Sequence, residues 1–218
     1  MRGLRSAHHK KNITVMKLKS IVSLFILLLT TAYGYAQGNK AMSILDKTAS
    51  IVGRRGGASA DFTFSNTKVG SVSGSIAIKG NKFNAHTPHA IVWFNGKTQW
   101  TYLRKTEEVN ITTPTQAQQM SMNPYTFIHI YKTGYTMSVD EVGNNYNVHL
   151  TAKNTSRTIK EMYITIDKKT YVPSKIKMRQ NSQWSTITIS NFKEKNQANS
   201  LFVFNAKDFP KAEVVDLR

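Results

Sequence analysis

Residues 91–102 read IVWFNGKTQWTY, and this stretch decides the class of fold. Two runs rich in β-branched and aromatic residues flank Asn95-Gly96, a pair typical of a two-residue β-hairpin because both turn positions favour a positive φ. The sequence therefore predicts two antiparallel strands here, at Ala90–Phe94 and Thr98–Leu103.

The same β pattern continues on both sides of the hairpin. Further strands are predicted at Ala58–Ser65, Val72–Lys79, Glu108–Thr112, Thr136–Glu141, Tyr146–Lys153, Lys160–Ile166, Val172–Arg179, Ser185–Phe192 and Leu201–Phe204. A sheet of about ten strands cannot stay flat, so it must curl and have its concave face covered. The predicted class is therefore mainly β (α+β), built on a curved antiparallel sheet.

Two helical segments are available to cover that face. Residues 41–55 repeat apolar side chains at three- and four-residue spacing, which predicts a helix that ends at Gly56-Gly57. A Gln- and Met-rich stretch at 116–122 and an apolar stretch at 125–131 flank Asn123-Pro124, which predicts a kinked helical pair.

Residues 1–36 have the pattern of a secretory signal peptide. Lys17 and Lys19 precede an apolar run at 21–29, and Gly34-Tyr35-Ala36 offers the small-x-small cleavage pattern. The run is too short for a membrane span, which needs about 20 apolar residues. We expect cleavage after Ala36 and a single mature domain at 37–218. The signal is complete from Met16, so we expect residues 1–15 to lie upstream of the true start.

Composition narrows the classes of function. There is no cysteine, which excludes disulfides and thiolate chemistry, and it excludes a lipid-modified cysteine as an anchor. Six of the 30 basic residues and none of the 12 acidic ones lie in residues 1–36, so the mature chain keeps a net charge of +12. Export and the absence of a basic cluster with interleaved stacking aromatics argue against nucleic acid. A basic exported protein suits anionic membranes or acidic partners.

One strand concentrates that charge. Lys175, Lys177 and Arg179 alternate with Ile176 and Met178, so three cations share one face. Two interpretations stay open: a partner-docking patch, or the solvated outer face of a half-buried strand.

The motifs of an enzyme are weak. Pro88 lies between His86 and His89, which argues against a paired metal site, and no metal or other cofactor is expected. Glu107 and Glu108 are adjacent and diverge on a strand, so they make a poor acid–base pair. The sequence also has no nucleophile motif and no Gly-rich phosphate loop. We therefore expect a binding protein and not an enzyme.

Several segments, in order, resemble the LolA family of outer-membrane lipoprotein carriers. They are GSIAIK at 74–79, KFN at 82–84, the hairpin at 91–102, NPYTFI at 123–128, and the tail at 202–216. The resemblance covers most of the mature chain. It implies an unclosed β-barrel with a helical lid over an apolar cavity.

The resemblance also implies a function. Family members take the acyl chains of a lipoprotein released by an inner-membrane ABC-type transporter, cross the periplasm, and deliver the cargo to an outer-membrane acceptor. The missing lipid-anchor cysteine favours the carrier over the related anchored receptor. We expect a periplasmic carrier that acts as a monomer. An envelope sensor or regulator and a general carrier of small apolar ligands remain as alternatives.

The cavity is expected to be lined by aromatic side chains on strands and by flexible Met and aromatic side chains on the lid. Neighbours on a strand point to opposite faces, so Trp93 and Phe94 cannot both face inward. Ordinary core packing is the alternative for every one of these side chains. The expected acyl-chain-binding residues are Phe83, Trp93, Trp100, Tyr102, Met120, Met122, Phe127, Ile128 and Tyr131.

One departure from the family pattern concerns the lid. Family members have an arginine that helps to hold the lid closed, in a Lys-Arg-Pro sequence. Here Lys79 is followed by Gly80-Asn81, so this latch is missing. Asn95 also replaces the usual aspartate of the hairpin, a mild change because Asn supports the same turn.

Overall fold

The computed structural model describes residues 37–68, 70–115, 118–119, 123, 125 and 127–218, without the side chains of 127 and 129. Helix α1 (residues 37–52) comes first, and a short helix α2 (Phe127–Ile130) lies between the sixth and seventh strands. The strands are β1 (Ala58–Asn66), β2 (Gly70–Lys79), β3 (Lys82–His86), β4 (Ala90–Phe94), β5 (Gln99–Leu103), β6 (Glu108–Thr112), β7 (Tyr135–Val142), β8 (Asn145–Ala152), β9 (Ile159–Asp167), β10 (Pro173–Gln180), β11 (Gln183–Glu194) and β12 (Glu213–Asp216).

All twelve strands belong to one sheet with the order β12-β6-β5-β4-β3-β2-β1-β11-β10-β9-β8-β7. The chain forms two runs of consecutive hairpins, β1 to β6 and β7 to β11. These runs join where β1 pairs with β11, with Phe62 opposite Ile189. The last strand, β12, returns to pair in parallel with β6. The end strands β12 and β7 do not pair with each other in the described residues, so the barrel is unclosed, as predicted.

The core lies between the sheet and α1. On α1, the buried side chains are Ala41, Ile44, Leu45, Thr48 and Val52, a helical spacing that places them on one face. The four apolar ones join one cluster with alternate residues of the strands, such as Ile76 and Ile78 of β2. We call the face of the sheet that bears this cluster the inner face, and the opposite face the outer face.

Most predicted strands are confirmed, but the first helix and one turn differ. Helix α1 spans 37–52 and not 41–55. The hairpin between β4 and β5 has a longer loop than expected, because Phe94 pairs with Gln99 and residues 95–98 lie between the strands. Within this loop, Asn95 N–H donates to Thr98 O at 3.2 Å. Only Gly96 of the predicted turn pair has a positive φ, at 101°, while the Asn95 side chain accepts from the backbone N–H groups of Lys97 and Thr98. Asn95 therefore stabilises the loop through its side chain.

The prediction of a C-terminal strand at Leu201–Phe204 is wrong. A 3-10 helix, η1 (Asn199–Phe202), covers the start of this segment, and another, η2 (Ala206–Asp208), follows. The segment lies across the outer face of β3 and β4 and buries Phe202 completely. Strands β3 and β12 have no counterpart among the predicted strands.

In the part of the chain that the structure describes, no helix is long and apolar enough to cross a bilayer. The proposed signal peptide, residues 1–36, lies outside the described residues.

Candidate functional site

The inner face holds one of the predicted wall residues in its centre. Phe83 on β3 is 1% exposed and packs against Phe94 on β4, with ring centroids 5.4 Å apart. The two residues are register partners, so their side chains share a face. Phe94 is therefore the inward residue of β4, and Phe83 belongs to the packed core.

The other three predicted wall residues lie on the outer face. Trp93 pairs with Trp100 across the β4–β5 hairpin, and Ile91 pairs with Tyr102, so all four share the face opposite Phe94. The Trp93 ring lies 5.4 Å from Phe209 of the C-terminal segment, and the Tyr102 ring lies 4.7 Å from it. The expectation that these aromatics form one wall with Phe83 is wrong, because strand alternation separates them.

Some of the predicted lid residues lie outside the residues that the structure describes. Met120 and Met122 lie outside it, as does the Phe127 side chain. Ile128 and Tyr131 are both buried and belong to the inner-face core. Phe83, Ile128 and Tyr131 are thus brought together on the inner side of the sheet.

Asp46 connects α1 to the segment around α2. The Tyr131 hydroxyl donates a hydrogen bond to Asp46 Oδ1, and Lys132 Nζ lies 3.7 Å from the same oxygen. Burial, and then the bond to Asp46, raise the pKa of Tyr131, so the hydroxyl keeps its proton and remains a donor. Asp46 is therefore the acceptor that holds the α2 region against α1.

An open groove of about 790 Å³ lies where α1 begins beside the edge strand β7. Met42 of α1 and Tyr135 and Met137 of β7 form its apolar part. The exposed lysines Lys132 and Lys153 also line it. The groove combines flexible apolar side chains with cations, so it suits an apolar chain that bears a polar or anionic end.

Ion pairs fix α1 beside this groove. Glu141 of β7 pairs with Lys40 of α1 and, at 2.8 Å, with Lys168 of the β9–β10 turn. Hydrogen bonds from Lys168 and Lys40 lower the pKa of Glu141 to about 2. The carboxylate therefore stays ionised at neutral pH and ties α1 to the open edge of the sheet.

The family profile described as "Outer membrane lipoprotein carrier protein LolA" matches residues 31–182, well over half of the chain. The chain belongs to the LolA family. Membership supports a lipoprotein-binding role in the cell envelope, because the family is one of carriers and binders. No curated protein matches the chain by sequence.

Solved structures at low sequence identity resemble this chain. An uncharacterized conserved protein from Thermus thermophilus is similar with a TM-score of 0.56 at 12% identity, over 81% of this chain and 99% of that one. A LolA superfamily protein from Nitrosomonas europaea is similar at 11% identity, over 75% and 97% of the two chains, with a TM-score of 0.41. The fold of this chain is shared with the Thermus protein, whose TM-score is the higher of the two.

The turn between β2 and β3 leaves open space beside Asp46. A Cβ added to Gly80 in this turn would meet nothing within 4 Å. A cleft of about 330 Å³ opens at this place, lined by Gly80, Asp46, Ile128 and Tyr131 among others. The Tyr131–Asp46 hydrogen bond lies in this cleft and joins α1 to the segment that follows α2 in this LolA-family chain.

Two hydroxyls in the core have no hydrogen-bond partner among the described atoms. They are Thr48 Oγ1 on α1 and the Tyr125 hydroxyl before α2. Burial raises the pKa of Tyr125, so it is a neutral donor. An unpaired buried polar group costs about 1–3 kcal/mol. Its residue type and predicted burial could have identified Tyr125 as a buried hydroxyl. No signal in the sequence identifies Thr48 as buried without a partner.

Proposed function

We propose that this protein is a periplasmic carrier that shields the acyl chains of lipoproteins and moves lipoproteins from the inner to the outer membrane. The observation that carries the proposal is the groove beside α1 and β7, found in a member of the LolA family. Its volume of about 790 Å³ is within the range of about 300–1,000 Å³ typical of ligand pockets.

The physical requirement for such a carrier is strong. Hiding an acyl chain from water is worth about 0.8 kcal/mol per CH₂, so a lipoprotein cannot cross an aqueous space unaided. Met42 and Met137 are unbranched and can adapt to chains of different shape. Lys153 lines the groove and forms no ion pair with a carboxylate of the described residues, so it is available for phosphate or carboxylate groups near the chains.

The proposed pathway has three steps. A signal peptide, residues 1–36, directs export; an inner-membrane ABC-type transporter releases a lipoprotein to the monomeric carrier; and an outer-membrane acceptor receives it. No catalytic step is part of the proposal. The described residues contain no group of three or more His, Cys, Asp or Glu side chains that could hold a metal ion.

The acyl-chain site proposed here differs from the one expected from sequence. On the inner face, the proposed site contains Ile128 and Tyr131 of the lid region. It also contains the groove residues Met42, Tyr135 and Met137. Phe83 supports this site through the core, because it is buried against Phe94.

The test is to purify the protein gently from a native envelope and to identify by mass spectrometry what elutes with it. We expect acylated lipoproteins in near one-to-one amount. Met42→Glu, which places a carboxylate in the groove, should remove them. Ser43→Glu is the matched control, because Ser43 is exposed on the same helix. Both variants need the same unfolding midpoint.

Three outcomes would oppose the proposal. Free lipid without lipoprotein would favour a general carrier of apolar ligands. A stable complex with a membrane-bound regulator would favour a sensor. Equal cargo on the Met42→Glu and Ser43→Glu variants would remove the groove from the site.

The Asp46 contact gives a second test of the same function. Asp46→Asn keeps the size of the side chain but weakens the acceptor for the Tyr131 hydroxyl and for Lys132. Because α2 would then be held less firmly, we expect faster hydrogen exchange at residues 127–131 and faster release of cargo. Unchanged exchange would mean that Asp46 does not hold this region.

A further inference from the structure

The outer face of β8 to β11 carries aromatic and basic side chains that nothing covers in the described structure. They form two cross-strand rows. Glu161, Arg179 and Trp184 are register partners in one row, and His149, Tyr163 and Lys177 are register partners in the next. We call these six residues the outer patch.

The rings of the outer patch form a continuous platform. His149 stacks on Tyr163 with a centroid distance of 4.2 Å and an angle of 2°, and Tyr163 lies 6.0 Å from Trp184. Tyr163 is 39% exposed, a large fraction for an aromatic residue in the middle of a strand. Lys177 Nζ lies 4.6 Å from the centre of the Trp184 ring. Cations and aromatic rings thus occupy the same small area.

The charge of the outer patch is positive after pairing. Glu161 accepts from Arg179 Nε at 3.0 Å and Nη2 at 2.9 Å, and from the Tyr163 hydroxyl at 2.9 Å; His149 Nε2 also lies 2.9 Å from it. This carboxylate is therefore fully engaged and neutralises Arg179. Lys177 and its neighbour on the same face, Lys175, form no ion pair with a carboxylate of the described residues.

We propose that the outer patch docks this protein on the surface of an anionic phospholipid membrane. Lys177 of the outer patch and the adjacent Lys175 form no ion pair in the described residues, and they match the phosphates of such a surface. Tyr163 and Trp184 match the headgroup layer, where tyrosine and tryptophan place an apolar ring and a polar tip at the same depth. The headgroup layer accepts both kinds of side chain together.

The patch lies on the face opposite α1, so docking leaves the groove beside α1 and β7 free. The proposal therefore does not depend on the proposed cargo. It assigns the alternating cations of β10 to a lipid surface and adds the aromatic residues of β9 and β11 to them.

The experiment uses processed protein purified from the envelope, in co-sedimentation with vesicles at low salt. One set of vesicles contains equal parts of phosphatidylglycerol and phosphatidylcholine, and the other contains phosphatidylcholine alone. We expect binding to the anionic vesicles only. Lys175→Gln/Lys177→Gln should weaken it roughly 30-fold, since each basic residue near such a surface contributes about fivefold.

The matched control has the same change in net charge at the other end of the molecule. Lys207→Gln/Lys211→Gln alters two exposed lysines of the C-terminal segment. We expect it to weaken binding by about threefold or less, through the long-range field alone. Equal loss in both double variants, or no binding of the unaltered protein to anionic vesicles, would overturn the proposal.

Tryptophan fluorescence adds a readout that general electrostatic attraction would not give. Vesicles with brominated acyl chains near the headgroups should quench the emission of the bound protein, and Trp184→Phe should remove most of that quenching. Quenching that survives in Trp184→Phe would place the contact elsewhere. Patch-dependent binding to polyglutamate without binding to vesicles would show an acidic protein as the partner and would also overturn the proposal.

Discussion

The two ends of the outer face use the same residue types in opposite ways. On β4 and β5, Trp93 and Tyr102 lie under Phe209 of the C-terminal segment, and Trp93 is only 8% exposed. On β9 and β11, Tyr163 and Trp184 have no covering segment in the described structure and contact His149, Lys177 and Arg179 instead. We call these regions the covered end and the open end.

The difference shows that an aromatic residue on a strand does not reveal its role by type or by spacing. At the covered end, the rings serve as a second, smaller core, because residues 199–209 supply apolar partners. At the open end, the partners are charged and polar, so the rings stay accessible. The role depends on whether a distant segment returns to cover the strand.

The largest expected effect separates the two ends by stability. Phe202→Ala removes a fully buried ring at the covered end and should lower the free energy of unfolding by about 3–5 kcal/mol. Trp184→Ala at the open end should cost about 1 kcal/mol, because the ring is only partly buried and its contacts with Tyr163, Lys177 and Arg179 each contribute little. Urea unfolding measures both; similar losses would abolish the distinction between covered and open ends.

A smaller effect is expected from the carboxylate of the open end. Glu161→Gln removes the ionised acceptor of Arg179 and His149, and should cost about 1–2 kcal/mol because the side chain is only partly screened by water. Glu213→Gln, at the exposed β12, is the control and should change the free energy of unfolding by less than about 0.5 kcal/mol. Equal values in urea unfolding would mean that the network adds nothing.

The same carboxylate predicts a dependence on pH. Hydrogen bonds, the one from Tyr163 first, lower the pKa of Glu161 below its ordinary value of 4.5. The stabilisation is therefore complete above pH 4.5 and is lost as the pH falls through the folded-state pKa. The difference in stability between unaltered protein and Glu161→Gln should shrink as the pH is lowered from neutral into the acid range in urea unfolding. A difference that stays constant would contradict this sign.

The smallest effect is expected from the lysine that faces the membrane in our proposal. Lys177→Gln should change the free energy of unfolding by about 0.5 kcal/mol or less, because exposed charges contribute little to folding. The same substitution should weaken binding to anionic vesicles by about fivefold. A loss of several kcal/mol in thermal or urea unfolding would show that Lys177 is structural.

Local signals in the sequence were sufficient for most of the fold. The alternation around Ile176 and Met178 correctly placed Lys175, Lys177 and Arg179 on one face. The tail could not be predicted in this way, because Phe202-Val203-Phe204 alternates like a strand. Its 3-10 helix forms because the outer face of β3 and β4 receives Phe202, a contact made across more than a hundred residues.

The candidate site was less predictable. Strand alternation separates Trp93 from Phe94, but it does not say which of them faces α1; that depends on how the whole sheet curls. The groove was missed because Met42 and Met137 are far apart in sequence and neither lies in a motif. The Asp46–Tyr131 hydrogen bond also joins residues from distant segments, and no local pattern marks it.

The junction between β1 and β11 has a consequence for how the protein reaches its final state. Each of the two hairpin runs can form from nearby residues, whereas Ala58 meets Glu194 only after the intervening chain is present. In the export that we propose, the barrel therefore stays split until nearly all of the chain has crossed the membrane. Folding after export should protect amides of β8 and β9 before those of β1, which pulsed hydrogen exchange would detect. The junction of β1 with β11 thus delays assembly of the complete sheet until nearly all of the chain is available.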